Sequence, residues 1–239
     1  MSKNNLIVAL DVDKLETANQ LVTTLSDDVA WFKIGKQLFT ATGPASVELL
    51  REAKKRVFLD LKFHDIPNTV AGAVASATTL GATMVNMHAS GGFAMMDAAR
   101  QAAEKKASEL SLPKPILLGV TILTSIDEAT FQRNFGTQRT LKDQVAYLAE
   151  SSQNAGLDGV VASALEIQLI RQVCGNDFVI VTPGIRPKWA ASGDQRRMMT
   201  PGEAIAAGAD YIVVGRPITD SDDPREAART ILREMKADL

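Results

Sequence analysis

Eight short apolar runs spread along the whole chain most constrain what it can fold into: 6–10, 31–34, 57–61, 84–87, 116–121, 159–161, 178–182 and 211–214. Each is rich in Val, Ile, Leu or aromatic residues. Between them lie stretches of Ala, Leu, Glu and Gln that suit helices, among them 14–25, 45–55, 92–110 and 141–155. Apolar strands that alternate with helices predict a parallel sheet covered by helices. A refrain supports the repeat: Gly81-Ala82-Thr83, Gly156-Leu157-Asp158 and Gly208-Ala209-Asp210 each precede a strand. Glycine just past a helix end stops the helix and turns the chain.

Two architectures fit strands alternating with helices. A doubly wound open sheet usually carries a glycine-rich first turn, but here the first strand runs into Leu10-Asp11-Val12-Asp13. No low-complexity linker or shift in composition divides the 239 residues, and hydrophobic residues make up 46%, enough for a sizeable core. A single-domain α/β protein, the TIM (β/α)8 barrel, spanning 1–239 is therefore expected. A net charge of −2 gives no electrostatic footprint for nucleic acid or an anionic membrane. One cysteine, Cys174, excludes an internal disulfide, and with only two histidines it offers no Cys/His zinc site. No run approaches a membrane span, and the apolar burst before Asp11 is too short for a secretory leader. A soluble, cytoplasmic protein is expected.

In such a barrel the chemistry sits where strands end. Asp11 closes the first strand, Lys33 lies on the second, Asp60 and Lys62 on the third, and Asp65 just beyond it. Alternate strand residues face one side, so Asp60 and Lys62 should point the same way. A lone charge at a strand end is ordinarily a solvated cap. Alternating charges from three neighbouring strand ends are costly unless they are paired or used. His88 ends the fourth strand and reads as a structural histidine; His64 reads as a brace for the turn. A second constellation suits an anion. Gly215-Arg216 follows the eighth strand, where such barrels often bind phosphate. Pro183-Gly184-Ile185-Arg186 follows the seventh, and the aperiodic loop 187–200, with Gly193, Gln195, Arg196 and Arg197, has the length of a lid.

Taken together, these stretches resemble the orotidine 5′-monophosphate decarboxylase family. The resemblance rests on Leu6-Ile7-Val8-Ala9-Leu10-Asp11, Phe32-Lys33-Ile34-Gly35 and, above all, Asp60-Leu61-Lys62-Phe63-His64-Asp65-Ile66-Pro67-Asn68-Thr69. It extends through Val120-Thr121-Ile122-Leu123-Thr124-Ser125, Thr182-Pro183-Gly184-Ile185-Arg186-Pro187, Asp194-Gln195, Arg197 and Tyr211-Ile212-Val213-Val214-Gly215-Arg216-Pro217-Ile218. It implies loss of CO2 from orotidine 5′-monophosphate to give uridine 5′-monophosphate, the last step of de novo pyrimidine nucleotide synthesis. It further implies no cofactor and no metal, and a homodimer with active sites shared across the interface.

By the same resemblance, Lys62 would stabilise charge at C6 and protonate it, with Asp60 near the departing carboxylate. Lys33 would hold Asp60 and reach the ribose, which Asp11 would bind. Asp65, Ile66 and Thr69 would cross into the partner's site. Thr124 would contact the pyrimidine, while Arg186, Gln195, Gly215 and Arg216 would hold the phosphate. The nearest rival is a magnesium-dependent sugar-phosphate decarboxylase of the 3-keto-gulonate-6-phosphate type, which has a metal-binding glutamate where this chain has Lys33. A silent nucleotide-binding barrel should lack a charged member of the set, and none is missing. Histidine- or tryptophan-biosynthesis barrels share the fold but would not explain the paired Asp-Lys pattern.

Overall fold

The computed structural model describes residues 5–190 and 199–237. The elements run β1 (Leu6–Ala9), α1 (Leu15–Leu25), β2 (Trp31–Gly35), α2 (Lys36–Thr42), α3 (Ala45–Glu52), β3 (Arg56–Phe63), α4 (Pro67–Thr79), β4 (Met84–His88) and α5 (Phe93–Leu110). They continue with β5 (Ile116–Val120), α6 (Glu128–Phe135), α7 (Leu141–Asn154), β6 (Gly159–Val161), α8 (Ile167–Cys174), β7 (Val179–Thr182), α9 (Pro201–Ala206), β8 (Tyr211–Val214), α10 (Arg216–Thr219) and α11 (Pro224–Ala237). The eight strands pair in sequence order, all parallel, and β8 closes on β1. This is the (β/α)8 barrel expected from the strand count. Among the described residues no helix is long and apolar enough to cross a membrane.

Strand periodicity divides the apolar residues into two buried clusters. Ile7, Trp31, Phe58, Met84, Leu118 and Val181 belong to the set that fills the barrel. Their neighbours Val8, Phe32, Leu59, Val85, Leu117 and Ile180 join the larger cluster under the helices. Helix starts follow local chemistry. Asp127 accepts from the Thr130 N–H, Thr140 from the Asp143 N–H, and Thr200 forms a capping box with Glu203.

The glycine refrain has a structural meaning at the end of the barrel where the strands begin. Gly81, Gly156 and Gly208 take φ of 83°, 76° and 108°, a region costly for other residues. The third residue of each refrain then clamps one residue of the preceding strand from both sides. The N–H groups of Thr83, Asp158 and Asp210 donate to the carbonyls of Val57, Leu117 and Ile180 at 2.9, 2.9 and 3.0 Å. Their side chains accept from the N–H groups of those same residues at 3.2, 2.7 and 2.8 Å. Arg171 on α8 secures the last clamp, donating to Gly208 O at 2.7 Å and to Asp210 Oδ2 at 2.7 Å.

Replacing Asp210 with Ala leaves the Ile180 N–H unpaired and Arg171 without its carboxylate. The expected loss is about 1–3 kcal/mol of stability, read as a lower urea midpoint at unchanged m-value. An unchanged midpoint would rule out the clamp as a source of stability.

Candidate active site

Strand β3 departs from regular pairing where its charged residues begin. Leu59 pairs with Val85, but Phe63 pairs with Met87. Three residues of β3, 60–62, therefore lie opposite one residue of β4, Asn86. This is an enlarged bulge of the kind that re-aims side chains near barrel rims. Lys62 sits at its end in the left-handed region, φ 52°. For a lysine that conformation costs on the order of 1–3 kcal/mol and needs support from its surroundings. Asp60 and Lys62 do meet, as simple alternation anticipates, but on a bulged stretch and not on a regular strand.

The expected charge network assembles at the barrel mouth. Lys33 Nζ lies 3.0 Å from Asp11 Oδ1 and 3.4 Å from Asp60 Oδ2. Lys62 Nζ lies 2.6 Å from Asp60 Oδ1. Lys33 and Asp60 are each only 7% exposed, so the pairing occurs largely out of water. Asn86, fully buried, donates from Nδ2 to Asp60 Oδ1 at 2.7 Å and accepts the Lys62 N–H at 2.9 Å. Gly35 makes room for the network, because a Cβ there would fall 2.8 Å from Lys33 Nζ.

Burial alone would raise the Asp60 pKa. The charges of Lys33 and Lys62, with hydrogen bonds from Lys62 and Asn86, outweigh it and hold Asp60 below the ordinary 3.8. Burial would likewise lower Lys33, but Asp60 and Asp11 hold it above 10.5. His88 goes the other way: burial, then electrostatic repulsion from His64, Lys62 and Lys36, lowers it to about 4. Its ring stands 5.3 Å from that of His64. His88 is therefore neutral at neutral pH.

Two adjoining cavities meet at this network. One, of about 250 Å³, is lined by Lys33, Asp60 and Lys62, by apolar residues such as Val120, Ile122 and Val161, and by Thr124. The other, of about 130 Å³, is lined by Asp11, Lys33, Gly184, Arg186, Gly215 and Arg216. Lys33, Pro183 and Val213 belong to both. A flat, apolar-faced ring suits the first cavity and an anion the second, where two guanidinium groups can offer forked donors.

Three expected site residues stay apart from this centre within one chain. Asp65 is exposed and accepts the Ile66 N–H at 2.6 Å, Ile66 is 66% exposed, and Thr69 is exposed on the first turn of α4. None of the three lines either cavity. Gln195, with Gly193, Asp194, Arg196 and Arg197, lies outside the described residues. Sequence reasoning passed over Asn86. The sign was there: a polar residue in Met84-Val85-Asn86-Met87-His88, on the same strand face as inward-pointing Met84. Among the described residues no group of three or more His, Cys, Asp or Glu could hold a metal ion.

Comparison with known proteins shows what the chain is similar to. The chain matches the "Orotidine 5'-phosphate decarboxylase / HUMPS family" over residues 4–231. It is 51% identical to the orotidine 5'-phosphate decarboxylase of Moorella thermoacetica, over 98% of this chain and 93% of that protein. It is 52% identical to the enzyme of the same name from Syntrophotalea carbinolica, over 100% of this chain and 97% of that one. The crystal structure of orotidine 5'-phosphate decarboxylase from Lactobacillus acidophilus superposes with a TM-score of 0.84 at 36% identity, covering 97% and 99% of the two chains.

Asp60 has a depressed pKa in the folded state, so the stability it supplies is whole above pH 3.8 and is lost as pH falls through its lower folded value. In a urea series at falling pH, the wild type should lose stability more steeply below pH 3.8 than Asp60→Asn, which has no such group to protonate. Parallel curves would mean that Asp60 does not titrate in this manner.

Proposed function

The chain belongs to the orotidine 5'-phosphate decarboxylase / HUMPS family, and we infer that it converts orotidine 5′-monophosphate to uridine 5′-monophosphate and CO2, closing de novo pyrimidine nucleotide synthesis. One observation carries the reading to the level of residues. A Lys–Asp–Lys–Asp network faces a largely apolar cavity, and that cavity adjoins an anion pocket bearing two arginines.

The pyrimidine occupies the larger cavity beside Thr124, and the phosphate lies against Arg186, Gly215 and Arg216. Gln195, outside the described residues, completes the phosphate set. Asp11 and Lys33, at the junction, take the ribose hydroxyls. The substrate carboxylate then lies near Asp60. As the C6–carboxylate bond breaks, its electron pair stays on C6 and CO2 departs. The Lys62 ammonium stabilises that charge as it develops and transfers a proton to C6. Lys62 regains a proton from solvent. The repulsion between Asp60 and the substrate carboxylate ends when CO2 leaves. The phosphate is remote from C6, so its binding energy can serve closure and exclusion of water.

Asp65, Ile66 and Thr69 complete the site of a second copy in a homodimer. What supports this is their exposure and that none of them lines a cavity of its own chain described above. The enzyme acts in the cytoplasm on a free nucleotide, without nucleic acid or membrane as partner. The metal-dependent sugar-phosphate reading is not favoured. Where it needs a ligand for a divalent ion, Lys33 places an ammonium 3.0 Å from Asp11. Lys62 itself supplies the positive charge that C6 needs, so the proposal includes no cofactor.

Purified protein in chelator should consume orotidine 5′-monophosphate, followed by its absorbance. No turnover would sink the assignment, and turnover restored only by magnesium would favour the rival. Lys62→Ala should lower kcat by ~10³-fold or more while uridine 5′-monophosphate still binds.

A shared site makes a further demand. Lys62→Ala and Asp65→Ala proteins, each inactive, should regain up to about a quarter of wild-type activity when mixed and allowed to exchange subunits, because each mixed dimer has one intact site. No recovery after demonstrated exchange would place Asp65 outside a shared site.

A further inference from the structure

We propose that Asn86 is a positioning residue for the decarboxylation: it sets the Lys62 ammonium in place by gripping both the backbone of Lys62 and the carboxylate of Asp60. The proposal rests on the functional reading above and deepens it.

Asn86 is fully buried on the inner face of β4, between Met84 and His88. A buried amide is costly unless its donor and acceptor are both satisfied. Here each serves the active site. Oδ1 takes the Lys62 N–H at 2.9 Å, and Nδ2 gives to Asp60 Oδ1 at 2.7 Å. The first bond substitutes a side chain for the strand ladder at the point where β3 holds three residues against one. It also supports the left-handed Lys62, φ 52°.

The alternative register shows what the grip achieves. Continuing the Leu59–Val85 pairing without a bulge would set Lys62 opposite His88, two residues farther along β4. At about 3.3 Å per residue that is a slip of roughly 7 Å. Such a slip would carry the Lys62 N–H out of reach of Asn86 Oδ1 and re-aim the Lys62 side chain relative to the Asp60 carboxylate it meets at 2.6 Å. The second bond orients the Asp60 carboxylate so that one oxygen meets Lys62 while the other faces Lys33.

Three variants test the assignment, each compared with wild type for turnover and for binding of uridine 5′-monophosphate. Asn86→Leu keeps the branched shape and removes both bonds; Asn86→Ala removes both bonds and most of the side chain. Each should lower kcat by tenfold or more while the product affinity changes less than about threefold. Asn86→Asp keeps the acceptor for Lys62 but sets a second carboxylate against Asp60. Protonated, the introduced group can donate to Asp60 as the amide does. Its deficit relative to wild type should therefore shrink as pH falls from about 8 to about 5, while that of Asn86→Leu stays constant. The other titratable groups around the network are Asp11, Lys33, Lys36, Lys62, His64 and His88, and they are common to both proteins. Taking the ratio to wild type cancels their titration.

A crystal structure of Asn86→Leu gives an independent readout, with Lys62 expected to leave the left-handed region or lose Asp60. Activity within twofold of wild type, or an unmoved Lys62, would overturn the proposal. So would equal losses of kcat and product binding, or a pH-independent deficit in Asn86→Asp. Failure of the wild type itself to decarboxylate would defeat the functional reading instead, and the crystallographic readout would still decide the geometry.

Discussion

A carboxylate held nearly out of water between two ammonium groups is the interaction on which the rest of the site depends. Asp60 is 7% exposed and meets both Lys33 and Lys62. Burying one ion costs several kcal/mol even after relaxation, and the return depends on geometry and on filling the remaining hydrogen-bond positions. Here further partners are supplied. Lys33 also holds Asp11, and Asn86 donates to Asp60. The network therefore tolerates its burial, and in the proposed reaction it concentrates charge where the carbanion-like centre forms. A preorganised cation acts most strongly in such a place, because little water remains to screen it.

The barrel separates that costly chemistry from its own stability. Where the strands begin, Thr83, Asp158 and Asp210 use both backbone and side chain to clamp β3, β5 and β7. These are polar groups used entirely for structure. Where the strands end, hydrogen-bonding capacity goes to Asp60, Lys62 and the cavities instead. β3 has both duties: Val57 is clamped at its start, and the chain bulges from Asp60 to Lys62 near its end. The left-handed lysine near that end is held by the bond from its N–H to Asn86 Oδ1.

Much of this was legible in the residues alone, for specific reasons. The strand count and the parallel barrel followed from apolar runs recurring along the whole chain, because burial on both faces leaves an uninterrupted pattern. Strand ends shifted slightly. The first was expected to reach residue 10 and stops at Ala9, although the Leu10 N–H still bonds Lys33 O at 3.0 Å. The third runs two residues past the expected 61, to Phe63, because the bulge lets pairing resume with Met87. Asp11, Lys33, Asp60 and Lys62 could be singled out because charges at apolar strand ends need a reason. Asn86 escaped notice because a single amide in a strand carries no chemistry until its partners are known.

Local pattern by itself determined the element order, the closed parallel architecture and the identity of the charged residues at the mouth, since side-chain alternation and helix stops depend on near neighbours in the chain. Tertiary structure alone decided the register of β3 against β4, and with it the backbone of Lys62 and the task of Asn86. It also left Asp65, Ile66 and Thr69 exposed and clear of their own cavities. The reason is physical: a register is a relation between two strands 26 residues apart in pairing at Leu59–Val85 and 24 apart at Phe63–Met87. No local preference of either strand encodes that change; it arises only when the buried polar groups of both must be satisfied together.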